Sequence, residues 1–227
     1  SMNTVRLEVP AHSKNEPGWL RQALRGLAKP ASHPGAALAE RADGGAGRLA
    51  ARLGAILDDN WTLIDGYANH GGRLDQVLVG PRGVLALACT GLNGRIHCDG
   101  QRWRRDKFDL YNNLVERDAP VPADPAGSLY GAAATLQQLL AAQSSIRHVR
   151  TALVFTHPAA TLGDIRHALL NMVTLLADLK SATLLQAMSG QPDHRTIDGV
   201  VEVIRHDHAR FLRAPQRRSA AALAQRR

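Results

Sequence analysis

Residues 72–103 read GRLDQVLVGPRGVLALACTGLNGRIHCDGQRW, and the fold turns on how they are read. Residues 73–79, apolar from Val77 to Val79, and the apolar run 84–90 read as strands on either side of Gly80-Pro81-Arg82-Gly83, a loop of hairpin composition. The run at 84–90 carries no charge, as expected of a strand buried on both faces. Residues 95–98 and 102–104 flank Asp99-Gly100, a favoured hairpin dipeptide. Upstream, 61–65 is a first strand and His70-Gly71-Gly72 a turn, so the region predicts a three-strand meander followed by a hairpin.

Helical periodicity appears on both sides. Leu49, Leu53, Ile56 and Leu57 share one helical face, and Asp58-Asp59-Asn60 ends that helix. Residues 106–127, with Pro120, Pro122 and Pro125, read as a long surface loop. Leu129, Ala132, Ala133, Leu136, Leu139 and Leu140 predict a helix, and 150–156 a strand with an apolar centre. Ile165, Leu169, Met172, Leu176 and Leu179 predict another helix, 183–187 a short strand, and Ile197, Val201, Ile204 and Phe211 a last helix. Near the start, Trp19, Leu20, Ala23, Leu24 and Leu27 predict a short helix after Pro17. Lys29-Pro30-Ala31-Ser32-His33-Pro34-Gly35 reads as a linker. The expected division is an N-terminal extension at 1–35, a main domain at 36–212 and a basic tail at 213–227, with an α/β core built on a mixed sheet.

With 44% hydrophobic residues but only 4% aromatic, the core must be aliphatic. No apolar run reaches the length of a membrane span, and the start, SMNTVRLEV, lacks a basic-then-apolar leader pattern. Cys89 and Cys98 read as reduced, buried thiols, and a cytoplasmic location is expected. The net charge is +8 and unevenly spread: residues 205–227 hold seven arginines against one acid, Asp207, and so carry six of the eight positive charges. Such a tail grips phosphate or is simply solvated.

The order Asp75, Gly80-Pro81-Arg82-Gly83, Gly94-Arg95-Ile96, Asp99-Gly100 and Trp103 resembles the nuclease-related domain (NERD) family. That resemblance implies a restriction-endonuclease-like fold, with residues 40–205 following the family's element order. It also implies a metal site: an Asp on one strand and a Glu-x-Lys on the next, with a further Glu on the preceding helix. Carboxylate oxygens there would hold Mg²⁺, which activates water against phosphate. In this chain Asp75 keeps the Asp, while Ala88 stands at the Glu, Thr90 at the Lys and Arg48 at the helix Glu. Where the family has Asn-Pro followed by Gln, this chain has Asp124-Pro125 followed by Ser128.

The expectation is a catalytically degenerate nuclease-like domain that binds DNA, RNA or a nucleic-acid-processing partner. No cofactor or metal is expected, Mg²⁺ entering only if the chain is active. Arg102, Arg104, Arg105 and Lys107 around Trp103, with Arg213, Arg217 and Arg218 in the tail, are the candidate nucleic-acid contacts. The alternatives are a protein-interaction module of a larger assembly, or an active nuclease with a relocated site drawing on Asp65, His70, Asp75, His97 and Asp99. Arg48 and Asp75 are expected to approach each other only if both face one cleft. His206-Asp207-His208 is expected at the surface.

Overall fold

A computed structural model describes residues 2–7, 34–121, 123–188 and 194–224; at 34–43, 194–195 and 214–224 it describes the backbone alone. The helix expected after Pro17 lies outside the described residues, as does most of the linker; Pro34 and Gly35 open helix α1, Pro34–Ile56. Proline fits the first turn, where its missing N–H would have no partner in any case.

The main sheet is built from β1 (Asn3–Arg6), β2 (Thr62–Asp65), β5 (Gln76–Gly80), β6 (Gly83–Thr90), β10 (Val149–Phe155) and β12 (Met172–Leu175), in the order β1-β2-β5-β6-β10-β12. It is mixed: β2, β5 and β6 run antiparallel in sequence, whereas β1 lies parallel to β2 and β10 parallel to both β6 and β12. The meander and the strand at 150–156 are therefore as expected, except that the strand read at 73–79 divides: Gly72–Arg73 form a separate short strand, and β5 begins only at Gln76, with Asp75 outside it. Residues 3–6, within the stretch read as an extension, supply the edge strand next to β2.

Strand alternation divides the core in two. Leu63, Leu78, Leu85, Leu87, Ala152 and Val154 point to one face and meet Leu49 and Leu53 of α1. Both α1 leucines are fully buried, each worth about 1.5–3 kcal/mol of transfer free energy. Ile64, Val77, Val79, Val84, Ala86, Ala88, Leu153 and Phe155 point the other way. They meet helix α2 (Gly127–Gln143) through Leu129, Ala132, Ala133, Leu136 and Leu140, and helix α4 (His194–Ala224) through Ile197, Val200, Val201 and Ile204.

A second sheet, order β11-β7-β8-β9, joins β7 (Gly94–Asp99), β8 (Arg102–Phe108), β9 (Leu114–Pro120) and β11 (Ala160–Arg166). Its inner residues Ile96, Cys98 and Trp103 enter the α2-side core, where Trp103 packs on Phe155 with ring centroids 6.0 Å apart. A short pair, β3 (Ala68–Asn69) and β4 (Gly72–Arg73), precedes β5.

The motif glycines have steric reasons. A methyl group on Gly80 would lie 2.0 Å from the Trp61 ring, so this backbone passes where no side chain fits. Gly94 has φ +92°, and a methyl group there would lie 2.3 Å from the Asp106 carbonyl oxygen on the neighbouring strand.

Three expectations fail. The loop read at 106–127 contains the end of β8 and all of β9; β9 is an edge strand with only Ala119 buried, so it carries no apolar signal. The helix read through Ile165, Leu169, Met172, Leu176 and Leu179 is two strands, β11 and β12, each paired in parallel to a partner distant in sequence. That pairing overrides the helical spacing. The strand read at 183–187 is helix α3, Ser181–Ala187, which buries only Leu184.

Candidate functional site

The β6 strand ends in Ala88, Cys89 and Thr90, and alternation decides what each can do. Ala88 is 5% exposed and packs in the apolar cluster under α2. Cys89 points to the opposite side, against the cluster under α1. Thr90 is half-buried, and its carbonyl accepts the backbone N–H and the hydroxyl of Thr156, at 2.9 and 3.2 Å.

Asp75 stands just before β5, one residue outside the ladder that pairs Gln76 with Leu87. Its Oδ2 accepts the Cys89 N–H at 2.8 Å, and its carbonyl accepts the Gly66 N–H at 2.9 Å. The carboxylate thus closes the end of the β5–β6 ladder, saturating a donor that no strand reaches.

Helix α1 crosses the same corner closely. A methyl group on Gly45 would lie 3.0 Å from Thr156 Oγ1 and 3.4 Å from Cys89 Sγ. Gln76, fully buried, donates to the Ala46 carbonyl at 3.0 Å and fixes the helix over β5. Arg48 lies one turn further on. It forms no ion pair with Asp75; its Nε donates to the Gly44 carbonyl at 3.3 Å. Both charges act on the Cys89 thiol. Burial first, then the Asp75 carboxylate, push its pKa well above the ordinary thiol range, with Arg48 opposing. Cys89 is therefore a neutral thiol and a poor nucleophile.

Mg²⁺ chemistry needs several oxygen ligands converging on one point. This corner offers Asp75, with one oxygen already bonded to a backbone donor, and Asp65, which also bears on the Cys89 thiol but is paired with Arg6; Ala88 supplies no ligand, and Arg48 brings positive charge. Among the described residues no group of three His, Cys, Asp or Glu side chains is placed to hold a metal ion. The residues present do not fit the divalent cation of the family's site.

The residues considered for a relocated site are dispersed among other partners. Asp65 pairs with Arg6 at 3.4 Å, and His70 meets the Phe211 ring edge-on at 5.3 Å. Asp99 pairs with His167 at 3.1 Å. His97 is held on both ring nitrogens: Nδ1 accepts the Asp164 N–H at 3.2 Å, and Nε2 faces Asp106 at 3.3 Å. The Asp118 N–H, donating at 3.0 Å, and then His97 hold the Asp106 carboxyl below its ordinary range.

The basic candidates on β8 are mostly engaged. Arg104 pairs with Asp118 at 3.8 Å, Lys107 with Glu116 at 2.5 Å, and Arg105 donates to Asn93 Oδ1 at 2.7 Å. Arg102 is exposed, with no ion pair among the described residues. Arg213 is exposed on α4 beside a groove shared with α2, and Arg217 and Arg218 lie in the backbone-only part of that helix. Asp124 takes the Ala126 N–H at 2.9 Å and turns the chain into α2.

The surface expectation for 206–208 holds for His206, which is exposed, and is corrected for Asp207 and His208. His208 is 3% exposed, and its Nδ1 accepts the Ala68 N–H at 3.1 Å; Asp207 accepts the Tyr67 hydroxyl at 2.6 Å, and Asn69 donates to that hydroxyl at 3.2 Å. These bonds fasten α4 to β3 and are structural. Cys89 was the residue missed at the corner: strand alternation alone places it on the α1 side, opposite Ala88 and Thr90.

A mixed sheet flanked by helices, with an acid before one hairpin strand and a motif position on the next, is a nuclease-like α/β architecture. The sequence model of the nuclease-related domain matches residues 42–156, from α1 to the end of β10, and the chain belongs to that family. No curated protein and no solved structure matches it.

Proposed function

We propose that this chain is a nuclease-related domain that binds nucleic acid without metal-dependent cleavage. One observation carries the reading. Where the family motif places its metal-binding Glu, Ala88 is sealed in an apolar cluster, and the one retained acid, Asp75, is spent on the Cys89 N–H. The corner has lost negative charge and gained Arg48, which suits an anion better than a divalent cation. The arginine-rich end adds sequence-independent affinity for phosphate.

The test is fluorescence anisotropy of the full chain with labelled DNA and RNA oligonucleotides, in EDTA and across a salt series. Binding that weakens steeply with salt, with no cleavage in Mg²⁺ or Mn²⁺, is the expected result. A chain ending at Phe211 is expected to lose most of the affinity. Metal-dependent cleavage abolished by Asp75→Ala, or no binding by the full chain at low salt, would sink the reading.

A protein-interaction role has its own observation: Leu110, Tyr111, Leu114 and Val115 are exposed around the β8–β9 turn. Recovery of a stoichiometric protein complex, with no oligonucleotide binding, would favour it.

A further inference from the structure

Beyond the carboxyl ends of the parallel strands β10 and β12 lies a crevice of about 350 Å³. Arg48 and Arg52 of α1 form one wall; Thr156, His157, Leu175 and Ala177 lie across from them. The volume is at the lower end of the roughly 300–1,000 Å³ of small-ligand sites. Carboxyl ends of parallel strands are where α/β sheets commonly take ligands.

The two arginines are oriented but uncompensated. Arg48 Nε donates to the Gly44 carbonyl at 3.3 Å and Arg52 Nε to the Leu179 carbonyl at 3.0 Å. Each tether fixes the plane of a guanidinium and leaves its terminal nitrogens for another acceptor. Among the described residues neither arginine has a carboxylate partner: Asp75 is bonded to Cys89, and Asp178, exposed after β12, pairs with neither. Spaced four residues apart, the two cations share a helix face and repel each other, a cost that a bridging anion would remove. Across the crevice, His157 Nδ1 accepts the Ala159 N–H at 3.0 Å, which leaves Nε2 to carry the proton and donate.

We infer that this crevice is a phosphate subsite: Arg48 and Arg52 take one backbone phosphodiester of a nucleic-acid strand directly, with no metal between. The inference rests on the nucleic-acid reading above and deepens it. Planar guanidinium forks suit phosphate oxygens, and charge-assisted bonds of this kind are among the stronger polar interactions.

The test uses the full chain, a labelled oligonucleotide and EDTA throughout, with affinity followed against salt. Each phosphate that is no longer neutralised removes about 0.9 from the log–log slope on duplex DNA, or about 0.7 on a single strand. Arg48→Gln/Arg52→Gln is expected to flatten the slope by about 0.7–0.9, the share of one phosphate, and weaken binding several-fold, while Arg48→Lys/Arg52→Lys keeps the slope. Arg48→Gln alone, at an exposed position, is expected to give about half the change, and it serves if the double variant fails to fold. An unchanged slope in Arg48→Gln overturns the subsite and leaves the nucleic-acid reading standing. Failure of the unaltered chain to bind overturns both.

Discussion

Replacing Asp75 by Ala separates a carboxylate kept for the fold from one kept for a metal. The bond from Cys89 N–H to Asp75 Oδ2 is 2.8 Å long, partly buried and charge-assisted. Hydrogen bonds to charged groups contribute about 1.5–3 kcal/mol, and an orphaned donor costs a similar amount. Taking that range for Asp75→Ala, and about 2–4 °C per kcal/mol for a chain of this size, the melting temperature in EDTA should fall by roughly 3–12 °C. Asp75→Asn keeps an acceptor and should lose less than half as much. A second readout comes from the thiol. The Asp75 carboxylate is the largest cause after burial of the raised Cys89 pKa, so its removal should speed alkylation of Cys89 at pH 8. A metal-ligand carboxylate behaves oppositely when the metal is stripped, since its neutralisation relieves repulsion. An Asp75→Ala variant as stable as the parent in EDTA, or more stable, refutes the strand-closing role.

Ala88→Glu should not rebuild a metal site. Overpacking costs about 1–3 kcal/mol, and charge burial adds to it, so the loss should exceed about 3 kcal/mol at pH 8 and shrink towards pH 4 as the new carboxyl takes up a proton. Urea titration with and without Mg²⁺ checks this; stabilisation by Mg²⁺ is the contrary result. Gly94→Ala forces a side chain to φ +92° and against the Asp106 carbonyl, and should cost at least about 2 kcal/mol by thermal unfolding. Asp106 has a lowered folded-state pKa, so its stabilisation is present above the ordinary carboxylate value near 4 and is lost as pH falls through the lower folded value. Asp106→Ala should therefore destabilise at pH 7 and flatten the acid limb of the stability profile; a parallel-shifted profile would count against the assignment.

The hairpins were legible because their turns must use particular residues. Gly80, where Trp61 leaves no room, and Gly94, which needs positive φ, announce themselves in any reading. Buried strands such as β6 were legible from their apolar runs. What escaped depends on partners distant in sequence. β9 is an exposed edge whose residues only make sense beside β8, and β11 and β12 carry a helical spacing that parallel pairing with β7 and β10 overrules. At the site, the placing of Ala88 at the family's Glu rests on motif spacing alone. That Ala88 turns into the core while Cys89 meets α1 is a matter of sheet faces, and the pairing of Arg48 with Arg52 over the crevice needed the packed helix.

The clasp between Tyr67 and Asp207 joins positions 140 residues apart. Closing so long a loop costs entropy, so these bonds are expected to form after the sheet and to release before it. Amides of α4 from Ile197 to His208 should accordingly exchange with solvent ahead of those in β5 and β6. A load on the C-terminal arm is then felt first at Tyr67 and Ala68, a strand away from Asp75.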